Sequence, residues 1–243
     1  MTVGSQLDRK NPVKHSQRKR VVKLILFDID GTLVDSQNLI VEAQARAFAS
    51  LGMKAPARHE ALAVVGLSLH EAFDALTEGR GPSEALALAY KEAWTQLRHE
   101  SDHHDPLYPG AQDLLDVLSR RQDCLLGVAT GKSRAGINRL FDQYGWHKIF
   151  TTVQTADDAP SKPAPDMFLR ALAETGLTPR DACMIGDTTF DMHMAHHAGA
   201  HAIGVSWGYH RHEKLLKAGA NMIVADFAGL RDHLDEFMQC ATT

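Results

Sequence analysis

Val21-Val22-Lys23-Leu24-Ile25-Leu26-Phe27-Asp28-Ile29-Asp30-Gly31-Thr32 turns from apolar to acidic within one residue. The β-branched and aliphatic run up to Phe27 suits a strand buried on both faces of a parallel sheet. The abrupt polarity after it suits the loop at that strand's carboxyl end, where open parallel sheets bind their ligands. The period then changes. Leu39, Ile40, Ala43, Ala47, Phe48 and Leu51 share one helical face, and Gly52 stops that helix. Alanine-rich helical text runs on to about Glu100, punctuated by Gly66, Gly79, Gly81 and Pro82, with no strand between Ser36 and Asp105. Pro106, Pro109 and Gly110 mark a boundary.

Beyond it, strands and helices alternate. The pattern predicts a helix over Ala111–Arg121, a strand over Cys124–Ala129 and a helix over Ser133–Tyr144. A short strand follows near Phe150–Val153, then a helix over Asp166–Thr175 and a strand over Ala182–Ile185. A helix over Phe190–Ala198, strands over Ala202–Val205 and Met222–Val224, and a C-terminal helix complete it. This alternation predicts an α/β fold, a doubly wound and mostly parallel sheet with helices on both faces. The expected organisation is a basic arm over residues 1–20, a core over 21–36 and 106–243, and an inserted all-α cap over 37–105.

The chain has 243 residues, 44% hydrophobic and 23% charged. That composition is globular and excludes a disordered chain, a collagen-like repeat or a disulfide scaffold. At this length roughly three-quarters of the unfolded surface is buried on folding. Cys124, Cys183 and Cys240 are odd in number and far apart, as expected of a reduced, cytoplasmic protein. Val21–Phe27 is too short to cross a bilayer, and the first twenty residues lack the apolar core of a signal peptide. The arm Met1–Arg20 carries six basic residues against Asp8, a charge of +5, which leaves −9 on the remainder. It has no aromatic residue for base stacking, so it reads as a solvated terminus, and the acidic body argues against nucleic acid as a partner.

Four polar clusters fall at four strand ends: Asp28 and Asp30; Thr130-Gly131; Lys162-Pro163; and Gly186-Asp187 with Asp191. Each has an ordinary structural reading. Thr130 suits a helix N-cap, Lys162 a solvated cation, Asp187 an Asx-turn and Asp191 a partner for a helix dipole. Four such coincidences at one edge of one sheet point instead to a site.

Asp28-Ile29-Asp30-Gly31-Thr32-Leu33-Val34-Asp35-Ser36 resembles the first motif of the haloacid dehalogenase superfamily. Thr130-Gly131, Lys162-Pro163-Ala164-Pro165 and Gly186-Asp187-Thr188-Thr189-Phe190-Asp191 resemble its second, third and fourth motifs. The similarity runs from about Val21 to the end, and is greatest to phosphoglycolate-phosphatase-like hydrolases with a helical cap. It implies Mg²⁺-dependent hydrolysis of a phosphate monoester of a small metabolite, with phosphoglycolate the leading substrate. Nucleoside monophosphates, sugar phosphates and pyrophosphate stay open.

In such a site Asp28 is the candidate nucleophile, giving an aspartyl-phosphate. Asp30 is the candidate general acid for the leaving oxygen and then the base for the attacking water. The main-chain amides of Ile29 and Asp30, the Thr130 hydroxyl, the Gly131 amide and Lys162 are the candidate phosphate-binding groups. Four aspartates against one lysine leave −3 before a substrate dianion arrives. Like charges about 4 Å apart repel by roughly 4 kcal/mol at an effective dielectric near 20, so a divalent cation is required. An all-oxygen ligand set suits Mg²⁺. The resemblance implies ligation by Asp28, the Asp30 carbonyl and Asp187, with Asp191 supporting.

Other patterns are set aside. His193, His196 and His197 have helical spacing that can suit a transition metal, but the interleaved Met192, Met194, Ala195 and Ala198 look like the packed face. His103-His104 read as linker, and Cys124 and Cys183 as small core hydrophobes. Ser68 and His70 fall where similar proteins bring a loop over the site. Asp30 speaks against dehalogenation, which needs no acid, and against phosphonoacetaldehyde hydrolysis. A sugar-phosphate mutase shares these motifs. A phospho-aspartate receiver module shares the Asp, Thr and Lys but lacks the helical insertion.

Overall fold

Within residues 23–27 successive side chains point to opposite faces, as a strand's period of two requires. Leu24 and Leu26 enter one apolar cluster with Met184, Phe168 and Met192, while Ile25 and Phe27 enter the other with Val128, Leu115 and Leu234. A run apolar at every position is what lies between two helical layers. Full burial of each such side chain contributes about 1.5–3 kcal/mol. In this computed structural model, which describes residues 22–100 and 106–239, the strand spans Lys23–Phe27 (β1). The basic arm, His103-His104 and Cys240 lie outside the described residues.

Six parallel strands stand in the order β3-β2-β1-β4-β5-β6. The others are β2 (Cys124–Thr130), β3 (Thr152–Thr155), β4 (Ala182–Gly186), β5 (His201–Val205) and β6 (Met222–Val224). The chain winds outward from β1 to one side and then returns to the other. The carboxyl end of β1 therefore lies at the switch point, flanked by those of β2 and β4. One face is covered by α5 (Ala111–Ser119), α6 (Arg134–Tyr144) and α10 (Phe227–Gln239). The other is covered by α7 (Asp166–Thr175), α8 (Thr189–His197) and α9 (His212–Lys217).

Between β1 and α5 lie α1 (Gln37–Ser50), α2 (Arg58–Ala63), α3 (Leu69–Leu76) and α4 (Ser83–Glu100). They pack on one another in two small cores of their own, one around Ile40, Val65 and Trp94 and one around Phe48, Phe73 and Leu86.

Local differences from the sequence reading have physical causes. Lys23, which interrupts the apolar run, is buried and paired with Asp181 at 3.1 Å. The third strand begins two residues later than Phe150. Phe150 instead joins Phe141 and Trp146 in an aromatic cluster. The strand holds polar Thr152 and Gln154, made tolerable there by hydrogen bonds to Glu174 at 2.5 and 2.9 Å. Ser133, not Thr130, caps α6, its Oγ accepting from the Gly136 amide at 3.2 Å. The helix at Ala111 ends at Ser119, and α9 is not foreshadowed by periodicity. Cys124 and Cys183 are buried free thiols. His196 and His197 are exposed while Met192, Met194 and Ala195 are buried. No helix among the described residues is long and apolar enough to cross a membrane.

Candidate active site

Asp28 extends β1 by one residue. Its amide still donates to the Ile185 carbonyl of β4 at 2.9 Å, so the side chain is fixed by sheet pairing. The chain then turns sharply. The Ile29 carbonyl accepts from Leu33 and Val34, and Gly31 adopts φ +87°, a left-handed value that favours glycine. A Cβ at Gly31 would stand 2.3 Å from Asp187 Oδ2, and one at Gly208 2.1 Å from Asp187 Cβ. Asp187 is thus walled in by two glycines.

The strand ends bring together three carboxylates. Oxygens of Asp28, Asp187 and Asp191 all lie within 4.8 Å of one another, and all three residues are buried. Lys162, with no exposure, reaches in from the loop after β3. Its Nζ stands 3.0 Å from Asp28 Oδ1 and donates to Asp191 Oδ1 at 2.6 Å. Asp187 accepts from Thr32 Oγ1 at 3.1 Å and from the Tyr209 amide at 2.8 Å. Asp191 Oδ2 accepts from the Thr188 amide and hydroxyl at 3.0 and 2.7 Å, capping α8. The structural reading of Asp191 therefore holds beside its place in the cluster. Asp28 differs from both. Its contact from Lys162 is an ion pair not aligned as a hydrogen bond, and no well-aligned donor reaches either of its buried oxygens.

The electrostatics follow from burial. Desolvation, opposed by Lys162 and reinforced by Asp191, raises the Asp28 carboxyl from 3.8 to about 7. Burial, then Asp191 and Asp28, hold Asp187 well above the usual carboxylate range. Burial alone would lower Lys162, but Asp191 and Asp28 outweigh it and hold the ammonium above its ordinary value. One cation among three buried carboxylates is an unfinished charge balance. A donor set of carboxylate oxygens with unused lone pairs on Asp28 fits a hard divalent cation.

Asp28, Asp30, Thr130 and Gly131 line a cavity of about 630 Å³ that α3 and α4 also line, whereas Lys162, Asp187 and Asp191 are fully buried and do not line it. Thr130 is buried, and its hydroxyl accepts from the Lys132 amide at 3.2 Å. Ile29 is buried under the turn. His70 and Ser68 are at the cavity wall, but Ser68 Oγ is engaged as the cap of α3.

The sequence reading misses the partners of Asp30. Lys132 Nζ donates to both its oxygens, at 2.8 and 2.9 Å. Ser36 Oγ donates to Asp30 Oδ1 at 2.6 Å and lies 3.2 Å from the Tyr209 hydroxyl. With the Ser36 proton on Asp30, Tyr209 is the donor in the second contact. Lys132 is visible in the sequence, directly after Thr130-Gly131, but nothing there tells which carboxylate it meets.

Gly131 sits against the helical insertion: a Cβ there would stand 2.4 Å from the Leu67 carbonyl and 2.6 Å from that of Gly66. Both obstacles are backbone. Gly131→Ala is therefore expected to push the 66–68 loop off the site, lowering kcat/KM by roughly 10- to 100-fold. The melting temperature should stay near that of the wild type. A variant with wild-type kcat/KM refutes this packing.

Residues 25–205 match the family model of the haloacid dehalogenase-like hydrolases. The chain is 35% identical over 208 residues to the probable phosphatase IndB of Dickeya dadantii, covering 84% of this chain and 90% of that protein. It is 29% identical over 189 residues to the pyrophosphatase PpaX of Bacillus cereus, covering 76% and 84%. A crystal structure of a hydrolase from Pseudomonas syringae superimposes with a TM-score of 0.76 at 26% identity, over 88% of this chain and 98% of that one.

Proposed function

The chain belongs to the haloacid dehalogenase-like hydrolase family, and from that premise we propose that it is a Mg²⁺-dependent phosphatase of small-molecule phosphate monoesters, acting through an aspartyl-phosphate. The observation that carries this reading is Asp28, a buried carboxylate at the floor of a cavity that is ion-paired with Lys162 and otherwise held by no directed hydrogen bond. A carboxylate held by sheet pairing and facing a cavity, with its charge met by one lysine, is positioned to attack rather than to brace the fold. The phosphatase names of its relatives point the same way.

Asp28 attacks phosphorus, and Asp30 gives a proton to the leaving alkoxide, then takes one from the water that frees phosphate. The Ile29 and Asp30 amides, Thr130, Gly131 and Lys162 hold the phosphoryl oxygens. Asp28, the Asp30 carbonyl and Asp187, supported by Asp191, would hold Mg²⁺, which when bound offsets the charge of the carboxylates and the phosphoryl group. We assign residues 21–36 and 106–243 to the core, 37–105 to a cap over the cavity and 1–20 to neither. A sugar-phosphate mutase ranks below hydrolysis because the relatives of higher sequence identity carry phosphatase names.

Two measurements test the reading. The first is kcat/KM across a phosphomonoester panel that begins with phosphoglycolate, to which the resemblance points, and includes sugar phosphates, nucleoside monophosphates and pyrophosphate. Absence of phosphate release from the whole panel refutes it. The second is a melt with and without Mg²⁺. Burial pushes the folded Asp28 carboxyl up to about 7 from its ordinary 3.8, so the metal-free native state binds extra protons between these values. Metal-free stability therefore falls as pH rises through that window. Mg²⁺ competes with those protons, so its stabilisation should be greater at about pH 8 than at about pH 6. A pH-independent increment contradicts the assignment of these carboxylates as ligands.

A further inference from the structure

Lys132 Nζ has two partners. On one side it grips both oxygens of Asp30. On the other it lies over the indole of Trp94, 4.8 Å from the ring centroid. The Lys132 and Asp30 side chains are 10% and 12% exposed, so the pair is largely withdrawn from water. Trp94 belongs to α4 and is buried in the helical insertion, whereas Lys132 follows β2 at the sheet edge. The contact therefore crosses from one layer to the other.

Polar crossings elsewhere involve main-chain atoms: the Ser68 amide donates to Ser161 Oγ at 2.8 Å, and His210 Nε2 meets the Ala63 carbonyl at 3.1 Å, while Tyr209 packs its ring against the Trp94 cluster. Neither polar crossing ends on a carboxylate that lines the cavity. The Trp94 crossing does. Among the described residues Asp30 has one further side-chain partner, Ser36, at the start of α1. Its aim therefore depends on where Lys132 sits, and Lys132 sits where an aromatic face and a carboxylate share its charge.

We propose that Lys132 is a positioning residue that couples the seating of α4 to the aim of Asp30, so that Trp94 acts on catalysis through Lys132. This rests on the reading of Asp30 as the acid–base group. Two properties make the link stiff. A cation shared between a ring and a carboxylate in a dry setting has one favoured position. A misplacement of about 1 Å at a reacting group can cost about 10²-fold in rate.

The test is a double-mutant cycle on the full chain with Mg²⁺ present, using p-nitrophenyl phosphate and an alkyl phosphate. Lys132→Met is expected to lower kcat by about 10²-fold, with KM and inhibition by inorganic phosphate within about three-fold of wild type. Trp94→Leu is expected to lower kcat by roughly three- to ten-fold. The double variant should be no slower than Lys132→Met alone. Lys132→Arg, whose planar fork suits both a carboxylate and a ring, should recover most of kcat.

A readout without turnover accompanies these. The chain has three tryptophans. Lys132→Met should change the emission of the wild type but not that of the Trp94→Leu variant. If Lys132→Met does not fold, kcat of Lys132→Arg and of Trp94→Leu still decide: a slow Arg variant, or a Trp94→Leu variant at the wild-type kcat, overturns the coupling. Multiplicative losses in the cycle overturn the coupling. A raised KM and weakened phosphate inhibition with kcat intact overturn it too, since Lys132 would then be a phosphate ligand. Unchanged emission shows that the contact is absent in solution. Asp30→Asn separates this inference from the reading beneath it. If that variant turns over at the wild-type rate, the acid–base role itself fails. If it is slow while Lys132→Met is not, only the coupling fails.

Discussion

Asp28→Asn is expected to remove turnover, by about 10⁴-fold or more, as loss of a covalent nucleophile does. The fold should be kept. The folded protein holds this carboxyl at about 7 against its ordinary 3.8, so ionised Asp28 is a burden on the native state at neutral pH. A neutral amide of the same shape removes that burden, and Lys162 keeps its directed bond to Asp191. The melting temperature of the metal-free variant should therefore equal or exceed that of the wild type. No acid-stable phosphoenzyme should form on mixing with substrate. Exhaustive chelation is expected to silence the wild type as well, and Mg²⁺ to reverse that loss but not the substitution. Steady turnover by folded Asp28→Asn, or a variant that melts well below the wild type, would refute an assignment of this side chain to chemistry alone.

Lys162→Met has the other large effect, and it falls first on stability. The ammonium has no exposure and stands between Asp28 and Asp191, with Asp187 completing the cluster. Methionine fills much of the same space but leaves the carboxylates without a cation. Removing one partner of a buried pair costs about 3–5 kcal/mol. At this chain length that is a fall of roughly 6–20 °C in melting temperature. The loss should shrink as pH falls from about 8 to about 6. Without the lysine the native carboxyls are raised further, and protonation relieves them in the folded state before the unfolded one. Added Mg²⁺ should restore part of the loss at the higher pH. An unchanged melting temperature in metal-free buffer at about pH 8 would show that the cluster does not need this cation.

Much of this site is legible in the residues alone, because a doubly wound sheet collects its loops at one edge. Asp28, Thr130, Lys162 and Asp187 are far apart in the chain, yet each directly follows an apolar run or lies in the loop beyond one. Strand order then forces them together. What is not legible are contacts that no period encodes. Lys132 is visible as a lysine after Thr130-Gly131, but its direction depends on Trp94 across a layer boundary. Ser36, which donates to Asp30, meets the hydroxyl of Tyr209 from the far end of the sequence. The third strand is misplaced for a related reason: Thr152 and Gln154 look solvated until Glu174 of α7, a residue outside any local window, supplies their partners.

The helices between β1 and α5 keep their apolar side chains largely to themselves, in clusters separate from those that bind helices to the sheet. Natural variation can then work on two accounts. Phe73 lines the cavity and packs with Phe48 and Leu86, so changes in that cluster reshape the cavity wall while leaving the strand ends undisturbed. Trp94 is where that freedom narrows, because it belongs to the wall by packing and to the floor through Lys132. Among descendants of this chain, drift should be fast around the first cluster and slow at that one indole.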